Sequence, residues 1–200
     1  MANNKFTIKS KYVFNATWEG KFALDKSFGI AKPKDLLHRL KYRVMVKIDP
    51  ELMNSPSATM VIGKHGDMVI RKDGTGYFPW YPARGLGWSN EVSPPESWNE
   101  PTTGNVPKEE AATLSAIYLE ELEKWFPGIK KSKSYLFDGE AIVAYGKTDV
   151  EDNQSMLHDR TNIGLKTYGG NYHSINTGKL TTAPMFSVES VASILILIQS

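Results

Sequence analysis

The residues whose types and spacing could do chemistry lie near the end of the sequence. They are Gly169, Gly170, Asn171 and Tyr172, followed by Thr177, Gly178, Lys179, Leu180, Thr181, Thr182, Ala183 and Pro184. A glycine pair can turn with positive φ or let backbone approach a ligand closely. Thr181 and Thr182 are N-cap candidates, and Pro184 is tolerated in a first helical turn. A helix start offers free N–H groups and a partial positive charge, which suit an anionic or electron-rich ligand. By residue type alone, the segment is a good helix start after a glycine-rich turn.

Other chemistries find less to work with. His38, His65, His158 and His173 have no metal-ligand spacing. Asp149, Glu151 and Asp152 form an acidic loop without the sixth-position glycine of a calcium site. Gly146-Lys147-Thr148 ends a stretch that has Ala141 where a phosphate-binding loop needs its first glycine. No Gly-x-Ser-x-Gly elbow occurs, and the absence of cysteine removes thiol nucleophiles and disulfides. Trp88, Trp98 and the aromatic run at 77–81 read as packing residues within sheet and loop. A net charge of +2 argues against nucleic acid or an anionic membrane as partner.

The elements that must hold these residues alternate between strand and helix patterns. Strands are expected at 5–9, 12–16, 40–48, 58–62, 67–71, 76–81, 135–144, 163–167 and 172–175. Leu40, Tyr42, Val44, Val46 and Ile48 share one face, as in a strand with one wet side. Lys72-Asp73-Gly74 predicts a hairpin turn. A short helix is expected at 18–28 and a longer one at 107–126, stopped by Pro127-Gly128, with Ala111, Leu114, Ile117, Tyr118, Leu122 and Trp125 on its apolar face. The chain closes with a helix at about 182–198. Residues 84–107, rich in Gly, Pro, Ser and Asn, read as a lid loop. Residues 1–11 have no apolar signal region, and no apolar run reaches the roughly 18 residues of a membrane span. The run 194–198 reads as a buried helix end, and a cytoplasmic protein is expected.

This balance predicts an α+β fold. The ends, 1–31 and 134–200, would pair in one nucleotide-binding domain, with an antiparallel sheet domain, 32–133, inserted between them.

Four groups of residues occur in a familiar order: Asn15-Ala16-Thr17-Trp18; Leu37 to Arg43; Gly66-Asp67 with Trp80-Tyr81-Pro82-Ala83; and His158-Asp159-Arg160 through to Pro184. In this order the chain resembles the C-terminal part of bacterial FAD-dependent oxidoreductases of the D-amino-acid oxidase/glycine oxidase superfamily. The resemblance implies an α/β family context, with a substrate-type antiparallel sheet inserted in an FAD-binding domain. It implies that Asn15, Ala16, Thr17 and Trp18, with Gly169, Gly170, Asn171, Tyr172, Lys179, Leu180, Thr181 and Thr182, face the isoalloxazine side of FAD. It implies Tyr42, Arg43, Trp80, Tyr81 and Arg84 as substrate-side residues, the arginines pairing with a carboxylate. The implied reaction is oxidation of an amine or amino-acid-like substrate by hydride transfer to flavin, with no catalytic side chain and no metal required.

One departure limits the expectation. No Gly-x-Gly-x-x-Gly occurs, so the N-terminal βαβ unit that holds the ADP half of FAD is not in this sequence. The chain alone is then expected to be inactive. It would be a fragment, or a subunit that needs a partner chain carrying that unit. A further alternative is a stand-alone module that binds a small ligand.

Overall fold

The computed structural model describes residues 7–60, 65–80, 87–148, 152, 154–156, 159 and 161–199. It is a mixed α+β structure with two units: Met1–Lys32 with Asp159–Ser200, and Pro33–His158. The second unit therefore interrupts the first in sequence. Residues 134–158, grouped with the ends by the sequence reading, fall instead in the middle unit. The reason is a strand pairing that local pattern does not reveal.

That pairing organises the middle unit. Strand β2 (Leu36–Lys47) runs antiparallel to β7 (Lys133–Tyr145) along its whole length, from Leu36 opposite Tyr145 to Lys47 opposite Lys133. On its other side β2 pairs with β5 (Thr75–Phe78) and with β6 (Gly87–Ser89). The sheet continues outward through β4 (Asp67–Ile70) and β3 (Ala58–Thr59). Asp73 and Gly74 make the expected β4–β5 turn: Gly74 has φ 78°, and the Asp73 carboxylate accepts from the Thr75 N–H (2.9 Å). β2 starts four residues earlier than the alternation suggested. Its first five residues, Leu36 to Leu40, are all buried, including His38 and Arg39. A stretch buried on both faces loses the polar alternation that marks a half-wet strand.

Helix α3 (Lys108–Glu123) covers one face of this sheet. Pro107 precedes it, and Glu109 and Glu110 sit in its positive first turn. Its end is pinned by Glu123, whose carboxylate accepts from the N–H groups of Gly128 (2.9 Å) and Lys130 (3.0 Å). Those two bonds hold the Glu123 carboxyl below its ordinary range. Leu114, Tyr118, Leu119 and Leu122 pack on Val44, Val46, Phe78 and Phe137, with Tyr118 edge-on to Phe137 at 5.2 Å. Ile117 and Trp125, expected on the apolar face, are exposed, and Leu119 takes the inner position. Residues 87–107 do not form an open lid. β6 pairs with β2, and Trp98 and Pro101 of the 3-10 turn Glu96–Trp98 and helix α2 (Asn99–Thr102) are buried.

The first unit has a three-stranded sheet in the order β1-β9-β8. β1 (Val13–Asn15) is parallel to β9 (Tyr172–Asn176), and β8 (Gly164–Tyr168) is antiparallel to β9. Residues 7–10 form no strand. The 3-10 turn Trp18–Gly20 leads into α1 (Lys21–Ser27). A second 3-10 turn, Leu180–Thr182, leads into α4 (Ala183–Gln199). The run expected to be buried is not: Leu195, Ile196 and Ile198 are exposed, Ile196 at 68%. Leu180–Ile198 is also long and apolar enough, by length and composition alone, to cross a membrane. Ser187, Glu189, Ser190 and Ser193 break it into short runs, which is why no single apolar run flagged it.

Two glycines separate packing from conformation. A Cβ on Gly66 would lie 1.7 Å from the Pro79 carbonyl oxygen, whereas one on Gly170 would meet nothing within 4 Å. Gly66→Ala is therefore expected to destabilise the sheet unit by about 3 kcal/mol. Gly170→Ala should cost only the left-handed conformation, about 1 kcal/mol. Denaturant midpoints of the two variants check the order.

Candidate functional site

The parallel β1–β9 pair decides where the expected flavin-facing residues fall. Val13 is paired with Tyr172, so the two strands start together, and β1 ends opposite Ser174, two residues before the end of β9. Ala16, Thr17 and Trp18 follow β1, and Lys179, Leu180, Thr181 and Thr182 follow β9, both at the carboxyl end of the pair. In sheets with parallel strands, ligands bind at that end. Gly169, Gly170 and Asn171 belong to the β8–β9 turn, where Val13 pairs with Tyr172, at the opposite end of β9. A five-residue strand separates the two groups by roughly 16 Å. The single segment of the sequence reading is thus split. Gly169 (φ 58°) and Gly170 (φ 77°) meet the conformational demand of a hairpin turn.

Beneath the carboxyl end lies a buried polar network. The Asp25 carboxylate on α1 accepts at Oδ1 from Asn15 Nδ2 (2.8 Å), Tyr172 OH (2.8 Å) and Ser174 Oγ (2.7 Å). Its other oxygen pairs with Lys21 Nζ one turn earlier, and that amine also donates to Ser174 Oγ (2.6 Å). Asn15 Nδ2 further donates to the Lys21 carbonyl (2.9 Å) and to the Tyr172 hydroxyl oxygen (3.0 Å). Burial raises the Asp25 carboxyl, but the bonds from Lys21, Ser174 and Tyr172 and the Lys21 charge outweigh it and hold it below 3.8. Burial and the bond to Asp25 push the Tyr172 hydroxyl up to about 12. The side chains of Asn15 and Tyr172 are therefore engaged inside the unit. Neither is turned outward to a ligand.

What the carboxyl end exposes is a mixture of small side chains and the longer Lys179 and Leu180. Ala16, Thr17, Lys179, Leu180 and Thr181 are exposed, Leu180 at 84%. Thr17 Oγ1 donates to Asn15 Oδ1 (2.7 Å), which ties the loop to the network. Trp18 has φ 52° and, among the described residues, is the one non-glycine with positive φ. For a bulky side chain that is a strained conformation, and such strain gathers at functional sites. The threonines do not cap the helix. Thr182 Oγ1 donates to the carbonyls of Thr177 and Lys179 (2.7 Å to the latter), and Lys179 holds the extended cap position. The N–H groups of Leu180 and Thr181 precede the first bond of the turn, Thr182 N–H to Lys179 C=O (3.2 Å).

Among the described residues, Tyr42, Arg43 and Trp80 do not assemble into a pocket. Tyr42 and Arg43 are successive residues of β2 and point to opposite faces. Tyr42 stacks on Phe137 at 5.4 Å and packs against the core. Arg43 is already held by carboxylates: Nε and Nη2 donate to Asp138 (2.6 and 3.2 Å), and Nη1 donates to Glu140 (3.1 Å). Trp80 is 1% exposed within the core. Tyr81 and Arg84 lie outside the described residues. Two buried groups, Arg39 and His173, were given no site role by the sequence reading. Arg39 lies over the Trp88 ring at 3.8 Å. His173 stacks on Phe14 at 4.7 Å and shares a hydrogen bond with Thr167 Oγ1 (2.9 Å). An apolar cleft of about 230 Å³, lined by Leu52, Met68, Ile70, Trp125 and Phe126, touches none of the candidate residues.

Comparison with protein-family models, with curated proteins and with solved structures finds no match.

Two predictions follow from the ion pairs. Asp25→Asn leaves the half-buried Lys21 without its counter-charge, so the β1–β9 unit should lose about 2 kcal/mol. Because folding depresses the Asp25 carboxyl, its contribution is complete above pH 3.8 and is lost as pH falls below that value. Amide-exchange protection of β9 should show that acid-side loss in the parent and not in the variant. Arg43→Gln should cost about 2 kcal/mol of sheet stability, since it leaves the buried Asp138 carboxylate without its counter-charge, while Arg43 itself and Glu140 are partly exposed. Unchanged stability in urea would mean that Arg43 is free for another task.

Proposed function

We propose that this chain is the flavin-ring side of an FAD-dependent oxidoreductase that oxidises an amine or amino-acid-like substrate. One observation carries the reading. The parallel β1–β9 pair brings the two expected flavin-facing segments, residues 15–18 and 179–182, to one end of a sheet, and the strained Trp18 lies there.

The residues suit an isoalloxazine edge. The 3-10 turn and α4 form a continuous helical segment, 180–199, whose positive end lies at the carboxyl end of β9. The N–H groups of Leu180 and Thr181 can donate to an electron-rich ring edge, and a fixed dipole there favours the reduced ring. Ala16 and Thr17 offer little bulk, so a flat ring can approach the backbone. Bound flavin would supply hydride acceptance from the substrate carbon. The chain's own residues bind and orient the ring, and no acid–base side chain is assigned. In this reading the sheet unit is the substrate-type domain inserted into the FAD-binding domain.

A second reading, that the chain completes a flavin site only with a partner, is favoured by the absence of Gly-x-Gly-x-x-Gly. The absorption spectrum of the purified chain, alone and with a separately made chain bearing that unit, tests both. Yellow protein only in the mixture supports the split site. Stoichiometric FAD on the chain alone removes the need for a partner, and no flavin in either sample contradicts the proposal. Trp18→Gly relieves the left-handed strain, about 1 kcal/mol, and should weaken flavin binding while leaving the unit no less stable.

A further inference from the structure

The sheet unit carries a cavity that the flavin reading does not use. A cleft of about 230 Å³ opens where the outer strands β3 and β4 meet the turn after α3. The buried Met68 lines its inner side, opposite Ala58 of the β3–β4 ladder. Leu52 and Ile70 add aliphatic surface, and Trp125 and Phe126 add aromatic surface. Among the described residues no charged side chain lines it. A closed apolar cavity of roughly 150 Å³ takes benzene, so this cleft has room for a substituted ring. A carboxylate or an ammonium would lose its hydration there without gaining a counter-charge, which restricts the occupant to neutral molecules.

Trp125 connects this cleft to two buried nitrogens. Its ring meets His65 edge-on at 4.7 Å, and the His65 ring lies 5.7 Å from that of Trp80. Among the described residues, His65 Nδ1 and Trp80 Nε1 are buried atoms without a hydrogen-bond partner. Such orphans are rare, because a buried polar group gives up its bonds to water and must find others. An indole nitrogen can only donate, whereas an imidazole nitrogen can accept. One hydroxyl answers both, accepting from Trp80 and donating to His65. A carbonyl or an ether has no proton for His65. Trp80 and Met68 belong to one core cluster, against which Leu52, Ile70 and Phe126 also pack. Trp125 thus stands between the pair and the cleft. Its ring is 51% exposed, and side chains this exposed change rotamer within nanoseconds.

We propose that the cleft and the His65–Trp80 pair form one binding site for a neutral phenol, with the Trp125 ring as its movable wall. The ring of the ligand lies among Leu52, Met68, Ile70 and Phe126. Its hydroxyl reaches past Trp125 and bonds to both nitrogens. Aromatic walls favour a ring over an aliphatic chain, since ring pairs gain attraction beyond the area they bury. The site belongs to the sheet unit alone, so it does not rest on the flavin reading.

The test is titration of the full chain with p-cresol and with toluene, which has the same ring and methyl group without the hydroxyl. Binding is followed in the indole N–H signals of the tryptophans. p-Cresol should move the Trp80 signal downfield, shift that of Trp125, and bind about tenfold more tightly than toluene, the factor of one buried hydrogen bond. In Trp80→Phe that preference should vanish while toluene binds as before. Ala58→Leu fills the cleft from the edge strand and should abolish both titrations. Equal affinity of the two probes, a preference that survives Trp80→Phe, titrations unchanged in Ala58→Leu, or no shift with p-cresol overturns the proposal. The comparison of probes in the parent needs no variant, so it decides the matter even if Trp80→Phe does not fold.

Discussion

The carboxylate of Asp25 is the constraint on which the first unit depends. The β1–β9 ladder has three residue pairs, far too few to hold together segments some 157 residues apart in sequence. Asp25 joins them by accepting from Asn15 on β1 and from Tyr172 and Ser174 on β9, with Lys21 balancing its charge. Since a buried charge left unpaired costs several kcal/mol, all members must be in place together. That requirement selects the parallel register, and the register puts residues 16–18 beside 179–182. The polar network therefore stands behind the candidate site and is joined to it by the bond from Thr17 Oγ1 to Asn15 Oδ1.

The two units are stabilised by different means. The middle unit has an ordinary apolar interior between α3 and a twisted sheet, built on the long β2–β7 pairing. The first unit has few buried apolar side chains and spends its interior on hydrogen bonds. Its largest apolar surface, on α4, faces outward. A domain of this size ordinarily needs a hydrophobic interior or a covalent or bound staple.

Most elements were legible from local pattern. The β4–β5 turn is carried by Asp73-Gly74, and α3 by Pro107, Glu109, Glu110 and the stop at Pro127-Gly128. The misreadings have a common cause in long-range pairing and two-sided burial. β2 begins at Leu36 because His38 and Arg39 are buried, which residue type argues against. Residues 134–145 belong with β2 because of a register that no local signal encodes. Within the candidate site, Asn15 and Tyr172 were legible as important, but their side chains serve the Asp25 network. The parallel pairing separates the Gly169-Gly170 turn from the helix start, although the two are close in sequence. Trp18 carries a conformation that residue type would assign to glycine, so only the backbone reveals it.

The central claim is that the carboxyl end of the β1–β9 pair meets a flavin ring. Amide spectra of the chain titrated with riboflavin, which has the ring without the adenosine half, test it most directly. The account predicts shifts at Ala16, Thr17, Trp18, Leu180 and Thr181, and none at Gly169 or Gly170. Shifts confined to the apolar cleft beside Trp125, or to the Gly169-Gly170 turn, would contradict it.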